Sequence, residues 1–200
     1  MKHLKAVNIA IFASGGGSNA RTILAHQSTQ DAYQCNLLLT NNPKSGVFAI
    51  GHDFGVPAIK LSPSQYKSGS FLIGLLAYFK VDVIVLAGYL KLVPASLVSA
   101  FPNRILNIHP SLLPKFGGKG MYGMKVHENV ILCKENTSGI TIHFVNEKYD
   151  EGEIILQKEL NIQEGWTPEI LQKEVQKLEH SFYPEIVEKV CHRVQNEGNK

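Results

Sequence analysis

The sequence has few of the residues that mark disulfide-bonded or metal-binding proteins. It contains 3 cysteines in 200 residues, and Cys35, Cys133 and Cys191 lie far apart with no C-x-x-C pair. This argues against a disulfide framework or a zinc site, and no sequence beside any of the three indicates a nucleophilic thiol. There is also no H-E-x-x-H motif and no paired Cys/His spacing, so we expect no metal.

Excess charge and long apolar runs are also missing. The formal net charge is +3 and no run of basic residues occurs, which argues against nucleic acid as a partner. The apolar run at 7–13 is too short to cross a membrane and ends in glycines, so we interpret it as the first strand of a cytoplasmic protein without a membrane partner. The length suits one domain, and we expect residues 1–200 to form it without a linker or repeat.

Short apolar segments alternate with helical patterns along the first two thirds of the chain. This alternation predicts a Rossmann-like α/β fold with a doubly wound, mostly parallel sheet. The predicted strands are 7–13, 35–40, 56–61, 81–88 and 104–110, and the predicted helices are 18–27, 46–55, 70–80 and 94–101.

The last third has a different pattern. Segments 138–147 and 152–162 have the composition of strands, but too few residues join them for a parallel crossover, so we expect an antiparallel C-terminal pair. A C-terminal helix should follow, with Thr167 as its N-cap and Pro168 in its first turn. Its apolar stripe consists of Leu171, Val175, Leu178 and Phe182.

A glycine-rich segment, SGGGSNA at 14–20, follows the first predicted strand and opens the first helix. Its backbone N–H groups suit a phosphate, and the Ser18 hydroxyl can add a contact. The segment also fits the dinucleotide pattern G-x-G-x-x-A, but that pattern requires an acidic residue after the second strand. Asn41 and Asn42 stand there instead, which argues against a nicotinamide cofactor.

The fifth predicted strand ends in Asn-Ile-His-Pro. Asn107 and His109 are two residues apart, so their side chains share one face, and Pro110 favours an extended His109. Ligands of open α/β sheets bind at the carboxyl ends of the strands. An amide and an imidazole there can stabilise an oxyanion and transfer a proton. Asp150 and Glu151, in the acidic connection between the last two strands, are both candidates for a carboxylate partner.

Together these motifs resemble the glycinamide ribonucleotide formyltransferase family. The resemblance rests on FASGGGSN, DVIVLAGYL, ILNIHPSLLPKF, GITIHFVNEKYDEGEIILQ and LEHSFYP, and runs from about residue 7 to 190. It implies that the formyl group of 10-formyltetrahydrofolate passes directly to the amine of 5-phosphoribosylglycinamide in purine biosynthesis, through a tetrahedral intermediate. The implied partners are these two small molecules, with no metal or nicotinamide, in a monomer or homodimer.

The resemblance also implies roles for individual residues. His109 becomes the proton-transfer residue, Asn107 the oxyanion donor, and Asp150 the carboxylate that raises the histidine pKa, in preference to Glu151. The other implied residues are Gly17, Ser18 and Asn19 for the phosphate, Glu179 for the ribose, Tyr89, Leu90, Lys91, Leu92, Val93 and Asn107 for the folate, and His143 near the active centre.

The chain departs from the family pattern in its folate segment and in one loop. Lys91 stands where many relatives have arginine, and only Lys67 is basic in the 64–67 segment where another folate contact is expected. The segment 115–130 is rich in glycine and is interpreted either as a mobile lid or as a solvent loop.

Other functions remain open at this stage. A formyl-folate hydrolase or a formyltransferase for another amine would use the same chemistry, although the relatives with those activities carry additional domains for which we see no room. A non-catalytic nucleotide-binding module would keep the glycine loop but would not need Asn107, His109 and Asp150 together.

Overall fold

The computed structural model describes residues 5–197, which are organised around one seven-stranded sheet. In chain order the elements are β1 (Val7–Phe12), α1 (Ser18–Gln27), β2 (Tyr33–Thr40), α2 (Val47–Phe54), β3 (Ala58–Lys60), α3 (Pro63–Lys67), α4 (Gly69–Tyr78), β4 (Val83–Leu86), α5 (Ala95–Ala100), β5 (Ile105–His109), α6 (Met124–Leu132), β6 (Thr137–Phe144), β7 (Ile154–Asn161) and α7 (Pro168–Glu197).

The strand order across the sheet is β3-β2-β1-β4-β5-β6-β7. All pairs from β3 to β5 are parallel, which confirms the predicted Rossmann-like arrangement. The β6–β7 pair is antiparallel as predicted, but β5 also pairs with β6 antiparallel. From β1 the strands β2 and β3 are added on one side and β4 and β5 on the other, so the strand order reverses between β1 and β4. At such a switch point the loops that follow the two strands diverge and leave a crevice.

Both faces of the central strands β1, β4 and β5 are buried, which explains the continuous apolar runs of these strands. Along β1, Ile9 and Ile11 face one layer, which includes α1 and α7 residues. Ala10 and Phe12 face the other layer, which includes α4 and α5 residues. The strand period of two residues therefore supplies two cores from one segment.

The C-terminal helix begins where the sequence predicts. Thr167 accepts a hydrogen bond from the Ile170 amide through its hydroxyl (3.4 Å), and Leu171 and Val175 are buried. Leu178 and Phe182 pack against the same core, so the predicted stripe is confirmed. No helix in the part of the chain from 5 to 197 combines the length and the apolar character needed to cross a membrane.

Two helices were not predicted. In α3, Ser62 forms a capping box with Gln65, in which each side chain accepts from the backbone N–H of the other. The prediction that all of 115–130 is a loop is wrong from Met124 onward, where α6 begins. Its buried Val126 and Val130 are four residues apart and define an apolar helix face. The helix was not predicted because it has only nine residues and follows four glycines, which are typical of a loop.

Candidate active site

A cavity of about 540 Å³ opens at the carboxyl ends of β1, β4 and β5, where the switch point lies. Its wall also contains the loop 118–123 and one side of α7. The predicted site residues that line it are Asn19, Tyr89, Leu90, Asn107, His109, Asp150 and Glu179. A smaller hollow of about 60 Å³ adjoins it, with Lys91, Leu92, Val93 and His143 in its wall. Residues from distant parts of the chain therefore meet in one region.

Of the two neighbouring acids Asp150 and Glu151, Asp150 is the one that lies beside His109. Its Oδ2 accepts a hydrogen bond from the Gly118 amide (2.8 Å) and lies 3.5 Å from His109 Nδ1. Its side chain is 11% exposed, whereas that of Glu151 is 59% exposed and pairs with Lys148 at 3.0 Å. The geometry thus separates the two acids, which spacing alone could not do.

Several contacts favour the ionised form of Asp150. Burial by itself raises the pKa of this carboxyl, but neighbouring groups, among them His109 and the Gly118 amide, bring the pKa below its usual value. Asp150 also adopts a left-handed backbone conformation with φ of 56°. Asp and Asn tolerate this conformation better than most residues, so the turn fits the residue that occupies it.

His109 is held at both ring nitrogens. Nε2 lies 2.7 Å from the Phe116 carbonyl oxygen, and Nδ1 faces Asp150. The carbonyl can only accept, so Nε2 carries a hydrogen, and a second proton at Nδ1 would face the carboxylate. Burial lowers the pKa of His109, and the opposing effect of Asp150 only partly compensates. The prediction that Asp150 raises the pKa of His109 therefore has the correct direction for that one interaction. The net pKa is nevertheless lowered, because the effect of burial is larger.

His143 orients the amide of Asn107. The two residues are direct partners in the β5–β6 pairing, and His143 Nδ1 lies 2.8 Å from the Phe144 carbonyl oxygen. Nδ1 therefore carries the hydrogen in the neutral ring, and Nε2 accepts from Asn107 Nδ2 at 3.1 Å. The second contact of that amide nitrogen, to Asp150, is long at 3.4 Å and weak. One N–H of Asn107 is thus available to a ligand.

The glycine loop meets α7 at the other side of the cavity. Gly17 has φ of 80° and precedes α1 directly. Asn19 Nδ2 donates to Glu179 Oε2 at 2.8 Å across 160 sequence positions, and Gln176 Nε2 donates to Ser18 Oγ at 3.0 Å. Burial raises the pKa of Glu179. Gln176 lies three residues before Glu179, on the same helix face, and that spacing is the signal by which it could have been found.

Asn41 and Asn42 are occupied by contacts within the protein. Asn41 Oδ1 accepts from the Ser14 hydroxyl (2.6 Å), and Asn42 Nδ2 donates to the Ser14 carbonyl (2.8 Å). These are the positions where a dinucleotide-binding protein has its ribose-binding acid. Neither side chain is therefore directed to a ribose in this structure.

The segment 89–93 presents an apolar surface beside Asn107 and Asp150. Tyr89 packs edge-on against Phe12, with ring centroids 5.3 Å apart. Leu90 and Leu92 are 44% and 46% exposed. Lys91 Nζ lies 5.6 Å from the centroid of the Tyr66 ring on α3. Lys67 is the last residue of the same helix. Of these two basic candidates for a folate contact, Lys91 is the one in the wall of the smaller hollow.

His127 was missed by sequence reasoning. It lies on α6, is 2% exposed, and lines the same cavity as His109. Its Nδ1 is buried without a hydrogen-bond partner. Burial, together with the neighbouring His109, lowers its pKa to about 4. Its ring is therefore neutral near pH 7 and can serve only as an uncharged donor or acceptor.

The comparisons with known proteins agree with this geometry. The profile described as formyl transferase matches residues 7–187. The phosphoribosylglycinamide formyltransferase of Bacillus subtilis is 34% identical over 197 residues, which cover 96% of this chain and 97% of that protein. A crystal structure of the enzyme of that name from Bacillus halodurans has a TM-score of 0.83 at 37% identity, with 92% of this chain and 94% of that chain covered.

Fold, site and profile together define a class: the chain belongs to the formyl transferase family. Within that family, the relatives that it resembles are phosphoribosylglycinamide formyltransferases. The chloroplastic protein of that name from Arabidopsis thaliana is 46% identical over 191 residues, which cover 92% of this chain. This chain spans 65% of the Arabidopsis protein and 60% of the one from Vigna unguiculata.

Proposed function

We propose that this protein transfers the formyl group of 10-formyltetrahydrofolate to the amine of 5-phosphoribosylglycinamide, in de novo purine biosynthesis. The observation that carries the proposal is the meeting of Asn107, His109 and Asp150 in one cavity with Asn19 and Glu179. A non-catalytic module would not need this buried amide, imidazole and carboxylate beside a nucleotide pocket. The names of the similar proteins support the same activity.

The catalytic groups suit a direct transfer. The amine nitrogen bonds to the formyl carbon, and the formyl oxygen becomes an oxyanion that accepts from Asn107 Nδ2 and from Nε2 of protonated His109. For this step His109 Nε2 exchanges its present contact with the Phe116 carbonyl for the substrate oxygen. The carbonyl re-forms as the bond from carbon to the folate N10 breaks. The proton that leaves the amine reaches N10 through His109, so atoms and charge balance. Asp150 stabilises the imidazolium that this step requires.

The ribonucleotide is placed by the other wall of the cavity. Amides of Gly17, Ser18 and Asn19 at the start of α1 hold its phosphate, because unpaired N–H groups and the positive helix end favour an anion there. Glu179 accepts from the ribose hydroxyls in place of its present contact with Asn19. Gln176 supports the loop through Ser18.

The folate occupies the side formed by 89–93. The exposed faces of Leu90 and Leu92 cover its ring system, and Lys91 takes the place of the family's arginine. The reaction uses no metal and no nicotinamide. Three further expectations belong to this proposal: one catalytic domain over residues 1–200, a monomer or homodimer, and a cytoplasmic location.

One assay tests the proposal against its alternatives. Purified protein is mixed with 10-formyltetrahydrofolate and 5-phosphoribosylglycinamide, and release of the deformylated folate is followed by absorbance. We expect release only when both substrates are present, and an unchanged rate in Glu151→Gln. Release without the ribonucleotide would show a hydrolase, and release only with a different amine would show another formyltransferase. Binding of both substrates without turnover would leave a nucleotide-binding module, and each of these outcomes would overturn the proposal.

A further inference from the structure

The loop between β2 and α2 holds the glycine loop from behind. We call residues 41–46 the clamp loop. Ser45 Oγ donates to the Gly15 carbonyl oxygen at 2.9 Å, and the Gly46 amide donates to the same oxygen at 3.1 Å. Asn41 and Asn42 bind the hydroxyl and the carbonyl of Ser14. Of the five residues between β1 and α1, Ser14, Gly15 and Gly16 thus contact the clamp loop.

The approach of the two loops requires glycine at position 46. A Cβ built on Gly46 would overlap the carbonyl oxygen of Gly16, and its carbon and Cα would also be too close. The backbone of Gly46 is right-handed, with φ of −65°, so any residue could adopt it. The requirement is therefore one of space between two backbones and not one of conformation.

The outer side of the glycine loop is open. Gly15 and Gly16 are exposed, and a Cβ on either would meet nothing within 4 Å. The inner side is where the clamp loop lies. The peptide groups of Gly15 and Gly16 are therefore held from the side of the clamp loop.

Peptide planarity turns this contact into a direction for the amides. In a trans peptide the C=O of one residue and the N–H of the next point in opposite directions. The Gly15 and Gly16 carbonyls face the clamp loop, so the N–H groups of Gly16 and Gly17 face away from it, toward the open side. The Gly17 amide is one of the three that hold the phosphate in the proposed function, and the Gly16 amide adds a fourth N–H beside them.

We propose that the clamp loop is a positioning element for the phosphate of the ribonucleotide substrate. Without touching the substrate, it sets the direction of the Gly16 and Gly17 amides, and thereby the preference for a phosphorylated over a dephosphorylated substrate. This inference rests on the proposed function for the identity of the substrate.

The test compares Gly46→Ala with Gly74→Ala, a glycine on α4 whose Cβ would meet nothing within 4 Å. KM is measured for 5-phosphoribosylglycinamide, for its dephosphorylated nucleoside and for 10-formyltetrahydrofolate. We expect Gly46→Ala to raise KM for the phosphorylated substrate about 10–100-fold, as for lost hydrogen bonds to a charged group. The other two KM values and kcat at saturation should stay within about twofold of wild type. Gly74→Ala should change none of them.

A milder variant covers the case in which Gly46→Ala does not fold. Ser45→Ala removes one hydrogen bond to Gly15 and adds no atom, and it should shift the same KM by about 3–10-fold. Ser70→Ala, at an exposed hydroxyl, is its control. A loss of kcat, or an equal rise in KM for the phosphorylated and dephosphorylated substrates, would overturn the inference, because a loop with a merely structural role affects both alike.

Calorimetric titration of ribose 5-phosphate separates this inference from the proposed function. If wild type binds ribose 5-phosphate but transfers no formyl group, the proposed reaction is wrong. The role of the clamp loop is then tested independently, because Gly46→Ala and Ser45→Ala should still bind ribose 5-phosphate more weakly than wild type. If wild type and both variants bind ribose 5-phosphate equally well, the clamp loop does not position the phosphate site.

Discussion

Replacement of Asp150 by asparagine should remove most of the chemical step and leave the fold intact. The substitution keeps the side-chain shape, and asparagine is as compatible as aspartate with the left-handed backbone at φ of 56°. What changes is charge: the Gly118 amide and His109 would face an amide in place of a carboxylate. His109 would lose the larger of the two effects, from Asp150 and from the Phe116 carbonyl, that counteract burial, so its pKa should fall further.

The magnitude follows from these two contacts. A hydrogen bond to a charged group contributes about 1.5–3 kcal/mol. The Gly118 contact is such a bond at 2.8 Å, and the His109 contact, 3.5 Å in this structure, becomes one when the imidazolium forms, so the two amount to about 3–6 kcal/mol at the transition state. At about 1.4 kcal/mol per factor of ten, this predicts a loss of about 10²–10⁴ in the rate of transfer. Folate affinity should change much less, because the charge that His109 stabilises develops only during the reaction.

Single-turnover transfer and folate titration of wild type, Asp150→Asn and Glu151→Gln give the measurement. Glu151→Gln is the matched control, since Glu151 is exposed and pairs with Lys148 on the surface. We expect near-normal transfer from it. If Glu151→Gln is the impaired variant and Asp150→Asn transfers normally, the assignment of the carboxylate is wrong and the mechanism has to be rebuilt around Glu151.

Three other outcomes are expected. Glu179→Ala should weaken ribonucleotide binding about 10–100-fold and leave folate binding intact, by separate titrations, with the surface variant Glu174→Ala unchanged; equal weakening of both substrates would contradict this role. The pKa of His127 is about 4 in the folded protein, against an ordinary value of 6.5. Between these two pH values the side chain is neutral when folded but protonated when unfolded, so its contribution to the stability of the fold is fully present above pH 6.5 and falls as the pH drops toward 4. The free energy of unfolding, measured with urea at about pH 7 and about pH 4.5, should fall less in His127→Gln than in wild type, by at most about 3 kcal/mol. In the exposed control His52→Gln it should fall as much as in wild type. An equal fall in His127→Gln and wild type would contradict this prediction. Transfer should persist after treatment with a strong chelator, and its loss would indicate a metal that we do not expect.

Much of the fold follows from local patterns in the sequence. Burial on both faces of the sheet requires continuous apolar strands, and this is visible in 7–13 and 81–88 without any knowledge of their neighbours. The N-cap at Thr167 and the common face of Asn107 and His109 are equally local, because they depend only on spacing along one element. For this reason the strand alternation and the parallel pairing were predicted correctly.

The composition of the site was decided by tertiary structure. Asp150 was separated from Glu151 only by the turn that directs one toward His109 and the other toward solvent. The contact between Asn19 and Glu179 spans 160 positions, and the use of Asn42 to hold Ser14 depends on how two neighbouring β–α loops pack. Spacing along a chain determines which side chains share a face of one element. Which elements become neighbours depends on strand order and on the burial of both faces of the sheet, and these are properties of the whole packed chain.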